Sequence, residues 1–184
     1  MGVFTDRLNK LVVNAVSPGR VVKVRTSRGD GIRVEFGSRG IAGLSARQLA
    51  GEVEAALAGA LEGVSKGVET ARGAVRAEPL HGDAAAELRR RNPKIADRRR
   101  RFRQAVRDIR AEGTAARGLV TVVWEGDTRA GVRIAPEALT RLDEAALCEA
   151  LNLAVDAARV QHAEAVVAAA KQIYQFDRLE AATR

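Results

Sequence analysis

The chain has 184 residues, enough for one medium domain or two small ones. Its 46% hydrophobic content supplies a packed core and excludes wholesale disorder, while 3% aromatic content excludes the exposed ring platforms on which single-stranded nucleic acids stack. A net charge of +8 and a pI near 10.7 suit a phosphate-rich partner or an anionic membrane surface, although the arginine and alanine bias also fits GC-rich codon usage.

The opening stretch MGVFTDRLNKLVVNAV has polar residues at short intervals and no small-residue cleavage site, so it does not read as a signal peptide. Phe4, Leu8, Leu11, Val12 and Val16 predict a short amphipathic helix. Val22, Val24 and Thr26 then alternate as one face of a strand, and Gly29-Asp30-Gly31 makes a turn. Ile32, Val34 and Phe36 complete a β-hairpin. Gly37, Gly40 and Gly43 lack the Lys-Ser/Thr of a phosphate loop and read as a connecting turn.

Ser45 and Gln48 form a capping-box pair that opens a long helix. Its apolar stripe is Leu49, Val53, Ala56, Leu57, Ala60, Leu61 and Val64. Gly59, Gly63 and Gly67 either weaken this helix, by about 1 kcal/mol each relative to Ala, or permit close helix–helix approach. Pro79 closes it.

Residues 78–92 read as a linker, with a helical turn or two after Asp83. A charged helix is expected from Pro93 to about Glu112, with Ile95, Phe102, Val106 and Ile109 as a narrow apolar stripe and Gly113 at its end.

The first pattern then returns. Val120, Val122 and Trp124 match the first strand, and Asp143 is the N-cap of a second long helix with Leu147, Leu151, Ala154, Val155 and Ala158 on its stripe. Val132, Ile134 and Pro136 are matched to Ile32, Val34 and Phe36, a register that needs two extra residues in the second turn. The expected architecture is α+β: two helix–hairpin–long helix units, residues 1–77 and 93–184, packed as an intramolecular pseudodimer with antiparallel sheet. Tyr174 and Phe176 fit either the end of the last helix or an interface.

Residues that could carry catalysis are sparse. His81 and His162 are the only histidines, and neither stands beside Cys148 in a nucleophile pattern. No C-x-x-C or H-x-x-x-H spacing occurs, so no metal, cofactor or enzymatic activity is expected. Cys148 reads as a small core residue, and Trp124 as core or interface. No apolar run approaches the roughly 18–20 residues of a spanning helix, and a cytoplasmic protein is expected.

The densest feature is charge. Residues 89–110 hold eleven bases, Arg89, Arg90, Arg91, Lys94, Arg98, Arg99, Arg100, Arg101, Arg103, Arg107 and Arg110, against two acids, Asp97 and Asp108. So few acids leave the run short of i,i+4 pairs. A solvated face, with arginine stems covering apolar neighbours, is the plain reading; a phosphate-binding face is the functional one. Gln104 stands alone among amide side chains there, which argues against base readout. Arg76, Arg159 and Lys171 are candidates to extend the surface.

The charged helix, then GLVTVVWEGDTRAGVRIAPEAL, then LDEAALCEALNLAVDAARVQHAEAV resembles the YbaB/EbfC family of bacterial nucleoid-associated proteins. Gly118, Val120, Val122, Gly126, Ile134, Pro136 and Leu139 carry the resemblance, which covers residues 93–175 well and 3–75 more weakly, where Phe36-Gly37 replaces the Ile-x-Pro strand end. The resemblance implies homodimers with a shared sheet, duplex DNA as partner with little sequence preference, and a nucleoid location. Some relatives accompany type VII secretion proteins and imply the alternative, a protein-binding partner or stabiliser that does not bind DNA. Further self-association is compatible with either, and membrane binding through the narrow apolar stripe ranks below both.

Overall fold

The computed structural model describes residues 3–76, 93–126 and 128–182. Helix α1 (Val3–Asn9) leads into strands β1 (Val12–Val16), β2 (Val22–Ser27) and β3 (Gly31–Phe36) and then the long helix α2 (Ala46–Arg76). The second half runs α3 (Pro93–Arg107), β4 (Arg110–Ala115), β5 (Val120–Glu125), β6 (Arg129–Ile134), the single turn α4 (Ala138–Arg141) and the long helix α5 (Glu144–Ala182). The fold is α+β, with two antiparallel three-stranded sheets of order β1-β2-β3 and β4-β5-β6.

Each sheet therefore has one strand more than the expected hairpin. Val12 and Val16 lie on β1, not on a helix; β-branched Val12-Val13 favours the extended chain. Likewise the charged helix stops at Arg107, and Arg110 to Ala115 form β4 with Ala111 and Gly113 buried. Gly113 is thus the middle of a strand and not a helix end.

The two hairpin turns also differ from expectation. Ser27 pairs with Gly31 and Glu125 with Arg129, so three residues connect the strands in each half. Val34 then corresponds to Val132 and Phe36 to Ile134, with no insertion. A constant offset of 98 residues relates the halves from strand to helix: Val22 to Val120, Val34 to Val132, Ala46 to Glu144. Even the left-handed residue before the second strand is kept, Arg20 (φ 57°) in one half and Gly118 (φ 85°) in the other.

The helix starts follow the sequence. Ser45 Oγ accepts from the Gln48 amide at 3.3 Å while Gln48 Oε1 accepts from the Ser45 amide at 2.9 Å. Asp143 Oδ1 accepts from the Ala146 amide at 2.7 Å. The core joins both halves: Val22, Val24, Val34, Leu49, Val53 and Leu57 bury beside Val120, Val122, Leu147, Leu151 and Val155. Trp124 is buried, whereas Cys148 is only half-buried.

Each long helix crosses strands of its own sheet and also packs on the third strand of the other, α2 on β6 and α5 on β3. Asn152 of α5 accepts from the Val34 amide (2.8 Å) and donates to the Val34 carbonyl (2.9 Å), standing in for a neighbouring strand. The residue at the matching place on α2, Glu54, accepts from the Val132 amide at 2.7 Å. On each edge strand one residue, Val34 or Val132, is thus partnered by a side chain of the other half's long helix.

Candidate nucleic-acid interface

Successive helix residues point about 100° apart, so a contiguous run of arginines cannot face one groove. On α3, Val106 is buried and Phe102 half-buried against the body, and Phe102 meets Tyr174 of α5 with ring centroids 6.5 Å apart. This contact fixes which arginines face outward.

The structure divides the predicted set. Arg100 and Arg101 both pair with Asp97, Arg101 at 2.8 Å, and Arg98 is half-buried. Gln104 is occupied by Asp108, at 3.1 Å to each oxygen. Arg110 belongs to β4, where it lies 3.8 Å from Glu125, itself opposite Arg129 in the ladder. Part of the positive run is therefore neutralised locally.

Arg99, Arg103 and Arg107 differ. They stand at i, i+4 and i+8, on one row of the helix, and all three are exposed. Among the described residues no acid pairs with them; the Arg103 guanidinium donates only to the Arg99 carbonyl, at 3.4 Å. A row of three unpaired guanidiniums over about 12 Å is a linear cationic ridge, with donors suited to bidentate phosphate contacts. In the sequence the eleven bases stand as one set; helical phase and the Asp97 pairs separate the spaced row from the rest.

Arg89, Arg90 and Arg91 lie outside the described residues, as do the linker, His81 and Pro79, and the side chains of Lys94, Arg76 and Phe176. Arg159 is engaged by Asp156 at 3.6 Å. Lys171 is exposed on α5, one turn before Tyr174.

Two features were not anticipated. The outer face of the first sheet sets Arg25 directly opposite Arg33, beside Lys23, a like-charge pairing that only cross-strand register reveals. Exposed apolar residues also recur along α5 at Leu153, Val160, Val167 and Tyr174.

Among the described residues no cluster of three metal-ligating side chains occurs, and no helix is long and apolar enough to cross a membrane. Burial pushes the Cys148 thiol up from its ordinary value, with Glu35 and Glu144 adding to the effect against a backbone hydrogen bond from Phe36. Comparison with protein-family models, with curated proteins and with solved structures found no match in any of the three.

Proposed function

We propose that this chain is a tandem relative of the YbaB/EbfC proteins, an intramolecular pseudodimer that binds duplex DNA without enzymatic activity and with little sequence preference. The pseudodimer reading is supported by the constant offset of 98 residues and by the reciprocal edge contacts, Asn152 on Val34 and Glu54 on Val132. The DNA reading rests on one observation, the acid-free row of Arg99, Arg103 and Arg107. Guanidiniums so placed neutralise backbone phosphates and release condensed counterions, a mechanism that needs no base contact.

The test is a titration of fluorescent duplex DNA over a salt series. The intact chain is expected to bind with an affinity that falls steeply as salt rises. Changing Arg99, Arg103 and Arg107 to Ala is expected to weaken binding for every sequence tried and to flatten the salt slope by about 0.9 for each phosphate contact removed. Absence of binding at low salt overturns the reading, and the arginines are then a solvated helix face.

A further inference from the structure

Given the DNA binding proposed above, on which this rests, we propose that Asp97 limits the width of the DNA contact. It does so by holding Arg100 away from the row of Arg99, Arg103 and Arg107, which Arg100 would otherwise join.

Helical phase supplies the geometry. Successive residues turn by about 100°, which puts Arg100 about 60° from the centre of the row and Arg101 about 160° from it. Asp97 falls between those two arginines, about 120° from the row. Phe102 and Val106, which face the body, lie on the other side of the row. Around the helix the order is therefore body, row, Arg100, Asp97, Arg101. Along the axis Arg100 lies between Arg99 and Arg103. It is the arginine of α3 nearest to the row without belonging to it.

The contacts follow that order. One Asp97 oxygen accepts from Arg100, and the other lies 2.8 Å from Arg101 Nε, so both oxygens are taken. The two arginine side chains are 77% and 74% exposed and that of Asp97 33%, so the carboxylate is the covered member and the guanidiniums are drawn to it. An exposed pair of this kind adds little to stability. Its consequence lies in charge: a phosphate recruits a guanidinium held on a carboxylate only by displacing the acid. The row has no such competitor among the described residues. Asp97 thus separates a contact of three cations from one of four.

The test is a titration of fluorescent duplex DNA by the full chain and its variants over a potassium chloride series. Asp97→Asn keeps the shape of the side chain and removes its charge. It is expected to tighten binding roughly tenfold at low salt and to steepen the salt slope by about 0.9, the value of one further phosphate contact. Adding Arg100→Ala is expected to abolish that gain, and adding Arg101→Ala to leave it. Glu69→Gln removes the same charge from an exposed site on α2 and should leave the slope unchanged. In the otherwise intact chain, Arg100→Ala should also leave the slope unchanged; this arm holds even where Asp97→Asn disturbs the helix, which far-ultraviolet circular dichroism reads. A slope indifferent to Asp97→Asn, or a loss from Arg100→Ala alone equal to that from Arg103→Ala, overturns the role of Asp97 while the DNA binding of the intact chain stands. No binding by any of these proteins at low salt overturns both.

Discussion

Helices α2 and α5 begin at equivalent positions and lie over equivalent strands, yet they reach close contact by opposite means. In the first half the helix yields. Gly59 lies under Ala15 of β1, and a Cβ at Gly63 or Gly67 would meet Val13 or Leu11 at about 2.5 and 2.6 Å. In the second half the strand yields: Gly113 of β4, at the place of Ala15, lies under Ala157, at the place of Gly59. Glycine and alanine have changed sides across the same contact. The contact is thus conserved as a pair, with one partner small, while neither position alone is fixed. Surface positions are freer still, and there the halves diverge, one holding the arginine row and the apolar stripe, the other neither.

The largest effect expected from breaking this comparison is at Gly113. A Cβ there would meet the backbone of Ala154 and Ala158, which cannot turn away. Gly113→Ala is expected to lower the unfolding free energy by about 2–4 kcal/mol, read by denaturation with the buried Trp124 as the fluorescent probe. Adding Ala157→Gly is expected to recover only part of it, since the backbone contacts remain. Gly59→Ala should move stability by less than about 1 kcal/mol, because its Cβ would meet only the Ala15 methyl, at 3.3 Å, and the helix gains from alanine. Equal losses at Gly113 and Gly59 would contradict the exchange.

The edge contacts give the next largest difference. Asn152→Ala leaves the amide of Val34 without its side-chain acceptor and its carbonyl with the Cys148 thiol alone, at 3.2 Å, and is expected to cost about 2 kcal/mol. Glu54→Gln keeps an acceptor for the Val132 amide and is expected to change stability by less than about 0.5 kcal/mol. A costly Glu54→Gln would mean that its charge, and not its acceptor oxygen, holds β6.

A smaller effect concerns Cys148, whose counterpart is Ala50. With its pKa raised by burial, the thiol holds less thiolate at pH 8 than a free thiol, and the thiolate is the reacting form. Alkylation by iodoacetamide should run slower than for a small thiol at pH 8 and keep accelerating as pH rises further. The smallest expected effect is at His162, whose Nε2 is buried without a hydrogen-bond partner among the described residues, near Trp124. His162→Phe should be neutral or slightly stabilising in the same denaturation assay.

Much of the fold was legible because the repeat is strong in β2, β3, β5, β6 and both long helices, where apolar periodicity is clean. The outer strands were not. β1 follows a helical pattern so closely that Val12 and Val16 continue it in phase, and its fate as a strand is decided by pairing with β2. β4 has the period-2 pattern, but in small residues, Ala111, Gly113 and Ala115, and at Gly113 the backbone of α5 leaves no room for a Cβ. Small residues carry no strand signal of their own. The turn register was misread because Ile134-x-Pro136 suggested a strand end that the ladder places at Ile134. At the candidate site, the excess of charge was legible and its partition was not. Asp97 takes Arg100 and Arg101 by helical geometry, and the end of α3 moves Arg110 onto a strand.

The claim that DNA binding resides on one helix of the second half, and not in the overall charge, is tested most directly by a charge-matched comparison. Arg99, Arg103 and Arg107 are changed to Ala in one variant, and Lys23, Arg25 and Arg47, three exposed cations of the first half, in another. Both lose three positive charges. Duplex DNA affinity at one low salt concentration is expected to collapse in the first variant and to fall only slightly in the second. Equal losses would contradict the account, leaving a diffuse electrostatic attraction that any basic surface provides.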